Sequence, residues 1–97
     1  MVKRALLMAD SDDVATVIEA VSAGDTVAVE TKQGAPADEL VSVHDIPRFH
    51  KIALRDLAVH DIVHKYGQVI GEATQDIKRA EYVHIHNIES IKTGVER

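Results

Sequence analysis

Two stretches of the chain repeat each other at an offset of twenty residues, and this repeat constrains the fold more than any other feature. Residues 53–64 read ALRDLAVHDIVH and residues 73–84 read ATQDIKRAEYVH, so both fit Ala-x-x-Asp-(Leu/Ile)-x-x-x-(Asp/Glu)-x-Val-His. Residues 21–27, VSAGDTV, keep the apolar residue, the acid and the valine. Three related units in 97 residues predict one supersecondary element that is used repeatedly.

The copy at 21–27 indicates what this element is. Gly24 lies in a turn signal, and the alternating sequence TVAVE, typical of a strand, follows it. Residues 82–88, YVHIHNI, also alternate with period two, which predicts a strand with His84 and His86 on one face and Val83 and Ile85 behind them. Each unit is therefore predicted to be a short apolar anchor, a tight turn and a strand opened by valine.

The rest of the chain fits a mostly β fold of short strands and tight turns. The expected elements are a strand at 4–9, a loop at 32–39, a strand at 39–46, and a turn or close backbone approach at 65–71. Residues 12–21 suit a strand or a helix, and residues 53–64 leave room for a helical turn, because their apolar residues fall near a 3.6 period. We expect one domain over residues 1–97, with a frayed tail at 93–97.

Composition excludes several classes of function. The net charge is −5, and the chain has one Phe, two Tyr and no Trp, so it offers neither a basic stripe nor the stacking surface that nucleic-acid binding needs. No segment approaches the ~20 apolar residues of a membrane span. The chain has no cysteine and no signal-peptide pattern. We expect a cytoplasmic protein that binds neither nucleic acid nor a membrane.

The pair His84 and His86 is the first candidate site. Neutral imidazole is a common ligand of divalent metals, but a metal site needs three or four ligands, so others would come from another strand, water or a partner. On spacing alone, two half-exposed polar residues on a sheet face are the more frequent arrangement.

Two further clusters carry cations. In HDIPRFHKIAL, residues 44–54, Pro47 places Arg48, His50 and Lys51 around one turn that could hold an anion. In HKYG, residues 64–67, Lys65 and Tyr66 precede Gly67, which would let the backbone approach a ligand, and Tyr66 could act as an acid. The alternatives are a solvated connection of mixed charge and an ordinary turn. His60 and His64 have the spacing of a helical metal pair, but the unit places them across a turn and a strand.

Several motifs follow one another in a specific order: I-P-x-x-H-K-x-A-L-x-D-L, K-Y-G-x-x-I-G, A-x-x-D-I and V-H-x-H-N. They are carried by Ile46, Pro47, His50, Lys51, Ala53, Leu54, Asp56, Leu57, Lys65, Tyr66, Gly67, Ile70, Gly71, Ala73, Asp76, Ile77, Val83, His84, His86 and Asn87. Over residues 43–88 this order resembles the SAF-type (β-clip) domain of the altronate and galactarate dehydratase family.

The resemblance implies a small SAF-like β-clip fold and a lyase. Such enzymes dehydrate a sugar acid to a 2-keto-3-deoxy acid. A chain that ends at 97 resembles the form in which this domain is a separate small subunit that works with a large catalytic dehydratase subunit. It also resembles the small subunit of sulfolactate sulfo-lyase. A non-catalytic β-clip binding module is the alternative from another class, and such modules need no His-Lys or His-x-His-Asn motif. An exposed strand edge could let the isolated chain form a homo-oligomer.

The resemblance also suggests roles for residues. His50, Lys51 and Tyr66 would be catalytic, and a hydroxy-acid substrate would be bound by Arg48, Lys65, Gly67 and Asn87. His84 and His86 would bind a divalent metal of the iron or manganese type, or the substrate itself.

The chain departs from the family pattern at four positions. Phe49, His60 and Ala80 stand where glycine is usual, so those turns either avoid positive φ or accept strain. Tyr82 stands where a further histidine is common, which weakens a three-histidine scheme.

Overall fold

The computed structural model describes residues 2–90, and these form nine strands and no helix. The strands are β1 (Val2–Leu7), β2 (Val14–Val17), β3 (Thr26–Thr31), β4 (Pro36–Val41), β5 (Lys51–Ala53), β6 (Ile62–Lys65), β7 (Gln68–Ala73), β8 (Tyr82–Val83) and β9 (Ile88–Glu89). The mostly β prediction is confirmed, and the described residues contain no helical turn in 53–64. Within this range no helix could cross a membrane. The predicted frayed tail at 93–97 lies outside the described residues.

The strands form two sheets. The larger sheet has the order β4-β3-β1-β2-β5-β8, in which β1 and β3 run parallel and the other neighbours run antiparallel. The smaller sheet has the order β6-β7-β9 and is antiparallel. A cluster of buried residues from β2, β5, β6, β7 and β8 joins the sheets, so the β6–β7 hairpin packs on the larger one.

Two local predictions need correction, and one open alternative is resolved. Residues 12–21 contain the strand β2, whose four residues are all buried; a strand covered on both faces has the continuous apolar sequence that also suits a helix. The predicted loop at 32–39 is wrong in its second half, where β4 begins at Pro36. The strand predicted at 39–46 is wrong beyond Val41, where β4 ends. The strand predicted at 4–9 is confirmed as β1, which lies two residues earlier.

The repeated unit is confirmed, and the structure contains four copies of it. In chain order they are the first unit (17–28), the second (42–53), the third (53–64) and the fourth (73–84). Each passes from a strand end through a bend, a single bridge residue and a tight turn into the next strand. The second unit was not found from the sequence.

Backbone hydrogen bonds pair the units. The bridge residues Val21 and Ile46 exchange two bonds of 2.9 and 2.8 Å, which pairs the first unit with the second. Leu57 and Ile77 exchange two bonds of 2.7 Å, which pairs the third unit with the fourth. All four bridge residues are buried, so the apolar anchor of each unit is its contribution to the core.

The turn of every unit contains one residue with positive φ at the same position. These residues are Gly24 (φ 94°), Phe49 (70°), His60 (76°) and Ala80 (77°). The turns that lack glycine therefore accept strain, at a cost of about 1–2 kcal/mol for each side chain in the left-handed region. The four turns keep one backbone geometry while their side chains differ.

The glycines of residues 65–71 have two separate roles. Tyr66 and Gly67, with φ of 59° and 72°, form the two-residue connection between β6 and β7, a turn that requires positive φ at both positions. A Cβ at Gly71 would lie 2.3 Å from the backbone oxygen of Glu89, so β9 can pair with β7 only because this position has no side chain. Both parts of the prediction, a turn and a close approach, are confirmed.

Candidate functional site

The alternation of residues 82–88 predicted one continuous strand, and this prediction is wrong. β8 ends at Val83, residues 84–87 turn, and β9 begins at Ile88. Asn87 holds this turn: its Oδ1 accepts a hydrogen bond from the His84 backbone N–H (2.9 Å) and its Nδ2 donates to the Tyr82 carbonyl (2.8 Å). Asn87 is 3% exposed and Ile85 is 81% exposed. Asn87 therefore positions His84, and Ile85 does not pack behind the histidines.

His50 and His84, 34 positions apart in the sequence, meet across the β5–β8 strand pair. Their ring centroids are 4.6 Å apart. Tyr82 completes the cluster, because its hydroxyl lies 2.6 Å from His50 Nδ1 and its ring stacks on His84 at 5.8 Å. The ring of His86 lies 5.2 Å from that of Tyr82. Tyr82 was considered only as a lost histidine, yet it is the residue that contacts all three imidazoles.

His50 is free to join this cluster because the second unit lacks a bond that the other three units make. In those units a carboxylate at the last turn position accepts the N–H of the first turn position. The pairs are Asp25 with Ser22 (2.9 Å), Asp61 with Ala58 (2.8 Å) and Glu81 with Lys78 (3.0 Å). In the second unit the first turn position is Pro47, which has no N–H, and His50 replaces the acid.

One lysine lies beside the imidazoles, and a second lies near the first. Lys51 opens β5 next to His50, and Lys65 ends β6 in the other sheet. Burial lowers the pKa of Lys51 below its usual 10.5, and the positive charge of Lys65 lowers this pKa further. Lys51 therefore releases its proton more readily than a solvated lysine.

His84 is held toward its neutral form. Burial lowers its pKa below the usual 6.5, and the charges of His50, Lys51 and His86 act in the same direction. A neutral imidazole beside ammonium groups can accept a proton from a molecule whose negative charge the ammonium groups stabilise.

A titration tests this arrangement. The midpoint of the His84 imidazole, followed by NMR, is expected below 6.5, and Lys51→Met is expected to raise it because one of the three neighbouring charges is removed. Between that midpoint and pH 6.5 the unfolded chain binds more protons than the folded chain, so the free energy of unfolding should rise with pH in this window. A midpoint at or above 6.5 would contradict the assignment.

Asp12 and Asp13, which sequence reasoning missed, hold the β6–β7 hairpin in place. Asp12 accepts the backbone N–H groups of Tyr66 and Gly67, each at 2.8 Å, and of Ala9 at 3.1 Å. The Gly67 N–H, considered as a ligand contact, is therefore bonded within the chain.

Asp13 accepts the backbone N–H and Nδ1 of His64, at 2.8 and 2.9 Å, and Nε of Arg55 at 2.6 Å. Burial alone would raise the pKa of Asp13, but the bonds from His64 and Arg55 lower it below 3.8. Lys65 lies in the chain between His64, which Asp13 binds, and Tyr66, whose N–H Asp12 accepts. The two carboxylates therefore help to set the position of Lys65 near Lys51.

The remaining predicted residues are exposed. Tyr66 is 57% exposed, with its ring centroid 5.1 Å from Lys65 Nζ. Arg48 is exposed and its guanidinium lies 4.4 Å from the ring centroid of Phe49. The substrate contacts assigned to Arg48 and Tyr66 stay predictions.

The other three histidines have partners of their own. His44 accepts the Tyr82 N–H at 3.1 Å, His60 bonds to Glu72 at 2.9 Å, and His64 bonds to Asp13.

The cluster does not fit a metal by itself. Residues 2–90 contain no group of three or more His, Cys, Asp or Glu side chains that could hold a metal ion. Lys51, close enough to lower the pKa of His84, would also repel a cation. The assignment of His84 and His86 as metal ligands stays a prediction that requires ligands from outside this range.

The fold and the cluster define a class: a small β domain with a half-buried imidazole–lysine site suited to an organic anion and a mobile proton. The sequence profile of the altronate/galactarate dehydratase SAF domain matches residues 3–91. The chain belongs to this family, a family of lyases.

Two relatives show how far the likeness extends. The (2R)-sulfolactate sulfo-lyase subunit alpha of Chromohalobacter salexigens is 35% identical over 83 residues, which cover 84% of this chain and 88% of that subunit. The altronate dehydratase of Bacillus subtilis is 48% identical over 52 residues, which cover 54% of this chain. The match spans only 10% of that dehydratase.

Proposed function

We propose that this chain is the small subunit of a hydro-lyase that dehydrates a sugar acid of the altronate or galactarate type to a 2-keto-3-deoxy acid. A separate large subunit completes the active site. The observation that carries the proposal is the cluster of His50, Tyr82 and His84, with Lys51 beside it, in a member of this family.

The chemistry of dehydration matches these residues. The proton next to a carboxylate is weakly acidic, so its removal needs a base and cations that stabilise the dianion that forms. His84, held toward its neutral form, takes the proton, and Lys51 and Lys65 bind the carboxylate. His50 and Tyr82, joined by a 2.6 Å contact, supply a proton to the departing 3-hydroxyl.

The relatives support a two-subunit enzyme. The sulfo-lyase relative is named as a subunit, and the match covers 88% of its length. In altronate dehydratase the matched segment is 10% of a longer chain, which leaves most of that enzyme to other parts. A cluster that supplies bases and cations from a small domain suits a pocket completed by a second chain. The cytoplasmic location expected from the sequence stays a prediction.

A sulfolactate sulfo-lyase subunit is the second candidate. The sulfo-lyase relative aligns over 84% of this chain, whereas altronate dehydratase, though more identical, aligns over 54%. The same base and cations would serve this reaction, with sulfite leaving in place of water. Substrate choice would then depend on the large subunit.

The decisive experiment isolates the complex. The tagged chain is used to capture its partner from its own cell extract, the partner is identified by mass, and the complex is assayed on altronate, galactarate and sulfolactate. We expect a large lyase subunit and release of a 2-keto-3-deoxy acid. Sulfite release would select the second candidate, and a complex without turnover on any of the three would favour a binding module.

A further inference from the structure

Three of the exposed large apolar side chains belong to residues that adjoin the imidazole–lysine cluster in the sequence. Phe49 is 59% exposed, Tyr66 57% and Ile85 81%. Each is the sequence neighbour of a cluster residue: Phe49 of His50, Tyr66 of Lys65 and Ile85 of His84. We propose that these three residues, the apolar rim, are the surface on which the large subunit docks, so that docking closes the cluster off from water. The proposal rests on the proposed function, because it takes the large subunit as the occupant.

The backbone at the rim supports a binding role. Phe49 and Tyr66 both have positive φ, at 70° and 59°, a conformation that is strained for any residue with a side chain. The equivalent turns of the third and fourth units accept the same strain at His60 and Ala80, so what distinguishes Phe49 is a large apolar side chain that the strained turn leaves exposed. In the isolated chain Phe49 therefore costs strain and leaves more than half of its surface in water. Strained residues of this kind concentrate at functional sites.

The charges at the rim indicate what kind of surface it meets. The Arg48 guanidinium lies 4.4 Å from the ring centroid of Phe49, and the Lys65 ammonium lies 5.1 Å from that of Tyr66. Two of the three rim side chains therefore carry a cation against their rings, on a chain whose net charge is −5. The complementary partner surface has apolar pockets for the rim and carboxylates for the cations.

The same charges disfavour a second copy of this chain as the occupant. A symmetric dimer places one patch against its own copy. A twofold axis through the rim would bring Arg48 and Lys65 against the same two cations. The large subunit has no such constraint.

One substitution separates docking from stability, because it should change them in opposite directions. Phe49→Gly relieves the strained turn, so the Tm of the isolated chain should rise by several degrees. The same change removes the central apolar contact, so the Kd for the purified large subunit should rise by about 30-fold, the effect of a strong interface residue. His60→Gly is the matched control: it relieves the equivalent turn of the third unit and should raise Tm while leaving the Kd unchanged.

Binding is measured with the large subunit identified by mass and then purified, independently of turnover. An unchanged Kd for Phe49→Gly, or an equal loss for His60→Gly, would overturn the docking surface, as would a homodimer that depends on Phe49. Failure to capture any large subunit would overturn it too. If Phe49→Gly weakens binding but the complex turns over no sugar acid or sulfolactate, the docking surface stands and the proposed function fails.

Discussion

Replacing His84 with alanine in the proposed two-subunit complex is expected to lower kcat by about 10²–10⁴-fold, the usual contribution of a general base. His84 is the imidazole whose pKa is lowered by burial and by the charges of His50, Lys51 and His86, so it is the cluster residue best suited to accept a proton at neutral pH. Its side chain makes no hydrogen bond within residues 2–90, whereas its backbone N–H is bound by Asn87. The fold should therefore survive the change, and the measurement is steady-state release of the keto acid.

His60→Ala is the matched control. His60 lies in the turn of the third unit, its side chain is 80% exposed, and its ring bonds to Glu72. This variant should keep the turnover of the parent complex. His84→Ala should also keep the Tm of the chain and its affinity for the large subunit. Unchanged kcat in a complex that contains His84→Ala would show that the base is supplied elsewhere.

The architecture could be predicted from the sequence wherever the repeated backbone units also share side chains at equivalent positions. The third and fourth units share an aspartate, an apolar anchor, a second acid and a valine, and the anchor and the second acid have clear structural reasons. Leu57 and Ile77 are the buried bridge residues, and Asp61 and Glu81 accept a turn N–H. The same two reasons apply to the first unit, where Val21 is the bridge residue and Asp25 accepts a turn N–H, although only part of the sequence pattern is kept there.

The second unit was missed because its side chains depart from this pattern while its backbone does not. Pro47 removes the N–H that an acid would accept, so the acid position could become His50, and the valine position is Ile52. Sequence comparison within the chain therefore failed at the one unit that carries half of the candidate site. A local rule that fails in one repeat is a signal of function when the backbone geometry is retained.

The site itself was only partly predictable. His50, Lys51, Lys65 and His84 were named as candidates, but their meeting depends on contacts between distant parts of the chain. The alternation of 82–88 was misinterpreted because a turn of four residues can imitate a strand in so short a segment. Asn87 was the available signal, since asparagine commonly bonds to its own turn.

Asp12→Asn is expected to have the largest effect on stability, a loss of about 2–3 kcal/mol in the free energy of unfolding. Asp12 is 8% exposed and accepts three backbone N–H groups, from Ala9, Tyr66 and Gly67. An amide of the same shape keeps one oxygen, but its NH₂ group would face N–H donors, so at least one partly buried donor loses its acceptor. The change is measured by urea unfolding of the isolated chain.

The same substitution should lower kcat of the complex by at least about tenfold, because a small displacement of a positioned group is costly. Asp12 fixes the turn that follows Lys65, and Lys65 is the ammonium that lowers the pKa of Lys51. Asp25→Asn is the matched control: Asp25 accepts a single exposed N–H, from Ser22, and the change should cost less than about 1 kcal/mol and leave kcat unchanged. Equal stability losses for the two variants, or full turnover with Asp12→Asn, would show that the position of Lys65 does not depend on this carboxylate.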